Sequence, residues 1–397
     1  MQEGICKLED LNSACTRIWT RDFVLVCLAN MLVFLSFYSL MPTIPRYVQY
    51  LGASESIVGL ITGIFTVSAL SLRPWLGREL DRRGFRRIYL FGLLIYSIIA
   101  VSYIWAPTVL ALFLLRSVHG FGWSAASTAA STIATGMIPA QRRGEGMGYF
   151  GMFGNLAMAV APGAAITLLK LTSYQVVFGA ASILAGLALL SGAGIQSKQQ
   201  KNASPRNSLF ELSALHPVVV AFFMMLSFSG IVTFLPLYAA HRGISQIGLF
   251  YTVYSFFLVA TRPLAGMGSD RFGYNVIILP GLLLIASSSL ILSVAGEFRH
   301  YLLAAAVYGT GIGACQPTLQ ALTVSKVSPG RFGTANAMFL MAWDLGIGLG
   351  AVIMGAISQL WGYPVMYRVA ALFVVTGALV YFAGRPRYRA ISGRHHS

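Results

Sequence analysis

Apolar and polar positions alternate along this chain in long blocks, not residue by residue. Runs of about 20 nearly uncharged residues suit helices that cross ~30 Å of hydrocarbon at 1.5 Å per residue. The runs are continuous and lack the every-second-residue pattern of a barrel strand, so helices are predicted. Twelve are read: 21–45, 56–77, 87–105, 107–137, 145–170, 174–194, 215–240, 245–267, 274–296, 301–327, 334–360 and 363–383. The expected class is an all-α membrane protein. The first run follows Glu3, Glu9, Asp10 and Asp22, and its length and acidic flank predict a retained span, not a cleaved leader.

One stretch breaks the pattern. "QSKQQKNASPRNS", residues 196–208, is polar and divides the spans six and six. It predicts a linker (196–214) between an N-terminal half, 1–195, and a C-terminal half, 215–397. The halves also repeat. At an offset of 189 positions, Arg73 pairs with Arg262, Gly77 with Gly266, Asp81 with Asp270, Arg82 with Arg271 and Gly84 with Gly273. The same offset pairs Gly120 with Gly309, Gly122 with Gly311, Arg142 with Arg331 and Asn155 with Asp344. Six spans per half give both halves one orientation, a parallel repeat of the kind that rocks about a central site in one large class of transporters.

Charge refines this picture. The chain is 56% hydrophobic and 10% charged, with a net charge of +16. The basic residues sit in short loops, which argues for the orientation bias of membrane proteins and against nucleic acid. With the N-terminus inside, twenty Lys and Arg fall in inside loops and tails. Only Arg46, Lys170, Arg242 and Arg299 fall outside. Both termini are therefore expected in the cytoplasm. The four cysteines, Cys6, Cys15, Cys27 and Cys315, form no CxxC pair, so free thiols and no metal site are expected. No phosphate-binding loop is visible; the glycines of "GFGWSA" and "GIGACQ" fall within spans and read as packing devices. No cofactor is expected.

A few polar residues fall inside the spans. Arg116 lies about 12 Å along span 4. A buried arginine costs at least ~2.5–3.5 kcal/mol on insertion scales, so it should face a wet cavity or a partner. His119 is one turn on, on the same face. Asp344 in span 11 is the only acid deep inside a span, about 15 Å from its start. An acid at that depth can carry a proton or meet a cationic substrate, or it can be interhelical glue worth ~0.6 kcal/mol. Its repeat mate, Asn155, keeps a neutral hydrogen-bonding group. Among many aromatics, Tyr38 in span 1 and Phe228 in span 7 are cavity candidates.

"GRELDRRGFRR" resembles the loop 2–3 signature of the major facilitator superfamily, G-x-x-x-D-R-x-G-[RK]-[RK]. Gly77, Asp81, Arg82 and Gly84 match; Phe85 replaces a basic residue. The second copy, "GMGSDRFG", keeps Gly266, Asp270, Arg271 and Gly273 but loses the basic tail. "RSVHGFG" resembles the span 4 signature R-x-x-x-G-x-G of proton-coupled exporters through Arg116, Gly120 and Gly122, with His119 where glutamine is common. The span 5 antiporter signature G-P-x-x-G-G is only partly kept: Pro162 is present, and Ala161, Ala165 and Ile166 stand where glycines belong.

The resemblance implies a twelve-helix carrier, not an enzyme, most similar to the drug:proton antiporter branch. It also implies a conformational latch. Asp81 would meet the start of span 11 at Gly333 and Thr334, and Asp270 the start of span 5 at Gly144 and Glu145. A carboxylate is favoured there by the unpaired N–H groups of a helix N-terminus. The expectation is a monomeric carrier in the inner membrane, with lipid, protons and a small organic substrate as partners. Proton-coupled export is expected; import or facilitated passage of a small solute, including anions gripped by Arg116, is the alternative.

Overall fold

The computed structural model describes residues 17–196, 208–244 and 246–384. Cys6, Cys15, most of the polar linker and the basic residues of the C-terminal tail lie outside them. Among the described residues there are helices and no strands.

The helices are α1 (Arg21–Tyr50), α2 (Glu55–Arg83), α3 (Phe85–Ser102), α4 (Val109–Met137), α5 (Arg143–Leu171) and α6 (Tyr174–Ala193). There follow α7 (Leu212–His241), α8 (Gly248–Phe272), α9 (Tyr274–Ser293) and α10 (Phe298–Ser325). A last helical stretch, Phe332–Ala383, is broken by non-helical Gly362 (φ 79°, ψ 168°) into α11 (332–361) and α12 (363–383). Nine stretches among the described residues are long and apolar enough to cross a membrane; the last of these contains both α11 and α12. The more polar α8 and α10 are 25 and 28 residues long, ample for a span.

Local chemistry sets the ends. Thr20 caps α1 by accepting from the Phe23 N–H at 3.2 Å, and Thr108 caps α4 by accepting from Ala111 at 3.2 Å. Glu297 and His300 form a reciprocal cap on α10. α1 runs past Pro42 and Pro45 to Tyr50, five residues beyond the end read from the sequence. Likewise α2 does not stop at Gly77. It continues through "RELDRR" to Arg83 and ends at Gly84, whose φ of 97° is open to glycine alone without strain. Its repeat mate Gly273, at φ 89°, ends α8 the same way. Both signature stretches are thus the last turns of long helices, not loops.

The chain divides into two compact units. One is Met1–Asn207 with Pro329–Gly333; the other is Ser208–Ser328 with Thr334–Ser397. In the first unit α4 packs on α2 and α3, and α1 packs on α5 and α6. In the second, α10 packs on α8 and α9. Glycines allow these approaches. A Cβ on Gly120 would lie 2.5 Å from the Phe65 carbonyl of α2, and one on Gly122 would lie 2.8 Å from the Tyr96 nitrogen of α3. Their mates repeat the arrangement: Gly309 abuts the Tyr254 carbonyl of α8, and a Cβ on Gly311 would lie 2.8 Å from the Gly281 carbonyl of α9. Large apolar side chains remain on outer faces, among them Phe91, Leu94 and Ile98 on α3 and Ile183, Leu187 and Leu190 on α6. Such stripes would be a liability in water and are the expected surface in lipid.

Candidate functional site

The first unit holds a buried polar cluster on α4. Arg116 is 4% exposed, and its Cζ lies 4.5 Å from the centroid of the Phe65 ring. Its Nε and Nη1 are buried without a hydrogen-bond partner. One turn on, His119 is fully buried. The Tyr103 hydroxyl, just beyond α3, lies 3.1 Å from His119 Nδ1. Tyr96 covers the imidazole with ring centroids 4.2 Å apart, while Nε2 has no partner. Arg116 and His119 therefore share one pocket of rings. Burying a guanidinium with unused donors is costly unless the missing partner arrives at some stage of function.

Aromatic packing continues from that cluster toward α1. Trp123 stacks on Phe37 at 4.3 Å and meets Phe34 at 4.9 Å. Tyr38 lies 5.2 Å from Phe37 and is half-buried. Asn155, half-buried on α5, follows Gly154, which abuts Phe34. In the second unit, Asp344 is half-buried on α11. Its neighbour Trp343 lies 6.4 Å from Phe228, which also stacks on Tyr308 at 6.2 Å.

The end of α2 carries a second constellation. Asp81 Oδ1 accepts from the Gly333 N–H at 2.7 Å. Gly333 comes so close that a Cβ there would lie 2.6 Å from the Gly77 carbonyl. Arg82 turns to Glu79 at 3.7 Å, and Arg78 and Arg83 converge on the same carboxylate at 3.8 and 2.5 Å. Glu79 is 3% exposed. In the other copy, Asp270 is half-buried at the end of α8, Gly266 is buried, and Arg271 and Gly273 are exposed.

Sequence reasoning assigned no role to Glu79 or to the buried Arg73 and Arg262. Arg73, 2% exposed, donates to Ser127 at 3.4 Å and Thr128 at 3.1 Å; Arg262, equally buried, donates to Gln316. Ser127 and Gln316 are themselves 189 positions apart. Serine and glutamine differ in type, so the offset alone carries no sequence signal for either pair. Among the described residues no three His, Cys, Asp or Glu side chains converge as metal ligands.

Comparison with known families accounts for the repeated architecture. The model described as Major Facilitator Superfamily matches residues 26–245 and again residues 218–396. The chain belongs to the major facilitator superfamily. It is accordingly a multi-pass membrane transporter and not an enzyme. The transporter is 24% identical over 378 residues to the staphylopine export protein of Staphylococcus aureus, covering 88% of this chain and 92% of that one. It is 25% identical over 411 residues to a multi-drug resistance efflux pump PmrA homolog of Lactococcus lactis, covering 95% and 98%. Among solved structures, the human organic anion transporter MFSD10 superposes with a TM-score of 0.82 at 16% identity, covering 91% of this chain and 99% of that one. The transporter FucP gives 0.79 at 16% identity, with 92% and 99% covered. At such identities the structures share the fold with this transporter.

Proposed function

We propose that this transporter exports a small organic compound in exchange for protons, exposing one binding site to each side of the membrane in turn. The observation that carries the reading is Arg116: a 4%-exposed guanidinium with two buried nitrogens lacking a hydrogen bond. A cation held so deep would receive its partner, an anionic group or a proton acceptor, during the cycle. His119, linked to Tyr103, fixes the wall beside it. Asp344, with its repeat mate Asn155, is the proton site. The Asp81–Gly333 hydrogen bond forms and breaks as a latch, with Gly77, Arg82 and Gly84 shaping its end and Gly266, Asp270, Arg271 and Gly273 serving the second copy. Tyr38 and Phe228 contribute aromatic surface to the substrate path. The direction is supported by the relatives named as an export protein and an efflux pump. The bias of basic loops supports cytoplasmic termini.

A proton entering down an inside-negative potential of ~100 mV releases about 2.3 kcal/mol, enough to drive a modest outward gradient. The test is purified protein in liposomes with a pH-sensitive dye inside, challenged with lipophilic cations, neutral drugs and organic acids. Substrate-dependent proton movement in wild type, lost in Asp344→Asn, is expected. Substrate flux without proton flux in either protein would overturn the exchange mechanism. The same Arg116 observation also supports a second reading. The unused Nε and Nη1 donors of Arg116 could serve an anionic substrate group, so import or facilitated passage of an organic anion would show as anion flux abolished by Arg116→Gln.

A further inference from the structure

A groove of about 370 Å³ opens at the end of the first unit where α2 turns into α3. Its rim carries Arg83, Arg86 and Arg87, all exposed; its floor includes Tyr89, Leu90 and Ile195. The arginines are unequally occupied. Arg83 pairs with Glu79 at 2.5 Å, and Arg86 Nη2 donates to the Ala193 carbonyl at the end of α6 at 3.2 Å. Arg87 makes no hydrogen bond or ion pair among the described residues. Tyr89 forms part of the floor and is 1% exposed, with its hydroxyl beneath the surface and without a hydrogen-bond partner. Buried hydroxyls are normally satisfied.

Below this basic rim the protein surface is apolar. On α3, Arg87, Phe91, Leu94 and Ile98 follow at helical spacing, so the charge caps an exposed apolar stripe. On α6, which packs against α3, Ile183, Leu187 and Leu190 form a second exposed stripe leading to Ile195. A ligand that fits both parts has an anionic head and long apolar tails. We infer that this groove is a binding site for an anionic phospholipid, with its phosphate at Arg83, Arg86 and Arg87 and its acyl chains along α3 and α6.

Orientation bias alone would put arginines in this loop, but it requires neither a groove nor the apolar stripes under it. A free phosphate would use the arginines and leave the stripes idle. The site is separate from Arg116 and Asp344, so it stands or falls apart from the transport mechanism.

The full chain in detergent micelles is titrated with phosphatidylglycerol, and bound lipid is counted by native mass spectrometry. Each basic residue near a membrane contributes ~1 kcal/mol, or roughly five-fold in affinity. Arg87→Gln is therefore expected to weaken binding about five-fold, and Arg83→Gln/Arg87→Gln roughly 25-fold. Arg87→Lys should retain most of the affinity and shows that the loop still folds. The exposed Arg299→Gln should change nothing. Phosphatidylcholine should bind far more weakly, and excess inorganic phosphate should not displace phosphatidylglycerol. Wild-type affinity in the double variant, equal binding of phosphatidylcholine, or displacement by inorganic phosphate would each overturn the assignment.

Discussion

Replacing Gly120 by alanine tests the packing that positions the Arg116 cluster. The added Cβ would stand 2.5 Å from the Phe65 carbonyl, 3.0 Å from Ser68 Cβ and 3.1 Å from the Ala69 nitrogen. Ordinary contact begins near 3.4 Å, so α4 must back away from α2 by about 0.9 Å, against backbone that cannot rotate aside. Overpacking of this kind costs ~1–3 kcal/mol, and contact with backbone belongs at the upper end. The better helix propensity of alanine offsets up to ~1 kcal/mol. Gly179→Ala on α6 is the control, because nothing lies within 4 Å of a Cβ there. The propensity gain is common to both variants, so their difference isolates the strain, expected at ~2–3 kcal/mol. It is measured as the difference in unfolding free energy from SDS titrations in mixed micelles. Phe65 also carries the ring under Arg116, so Gly120→Ala should lower transport more than Gly179→Ala. Equal stabilities within ~0.5 kcal/mol would refute the close approach of α4 to α2.

Three further outcomes are expected. Asp81→Asn keeps the shape but weakens the 2.7 Å hydrogen bond to Gly333; the charge-assisted bond is worth ~1.5–3 kcal/mol, so amide exchange at Gly333 should speed up by ten-fold or more. Unchanged exchange would show that the carboxylate does not hold that amide. Tyr103→Phe removes the hydroxyl 3.1 Å from His119 Nδ1 and should cost ~1–3 kcal/mol in the same SDS titration; a neutral result would mean the imidazole finds another partner. Gly84→Ala and Gly273→Ala force alanine to φ near +90°, at ~1–3 kcal/mol each, and the repeat requires similar losses at both sites.

Much of this architecture is legible in the sequence because lipid enforces it. Spans must be long, apolar and helical, so the approximate positions of most of them follow from hydropathy. The 189-residue offset is visible because the same residue types recur, and Gly120 and Gly309 prove to do the same job in their own units. Boundaries were harder. Hydropathy marks where a chain leaves hydrocarbon, not where a helix ends, and "RELDRR" continues α2 because Glu79 and Arg83 pair one turn apart. The broken end of α7 was not legible either: Gly230–Phe234 forms a π-helical turn inside an apolar run that carries no signal for it. Side-chain partners were the least accessible. Arg116 and His119 stand out by chemistry and by spacing, but Tyr96, Tyr103 and Phe65 come to them from other helices. Only the fold tells which of the many aromatics those would be.

The Asp81–Gly333 contact has a consequence for biosynthesis. Its partners are 252 residues apart in the chain. At ~5–20 residues per second, the ribosome needs roughly 10–50 s to reach Gly333 after making Asp81. The six helices of the first unit can be inserted and packed in that interval, but the carboxylate at the end of α2 must wait in water for its amide. Closure of this hydrogen bond is therefore among the late events of assembly, and a ribosome stalled before residue 333 would leave a packed first unit that lacks its contact to the Gly333 amide.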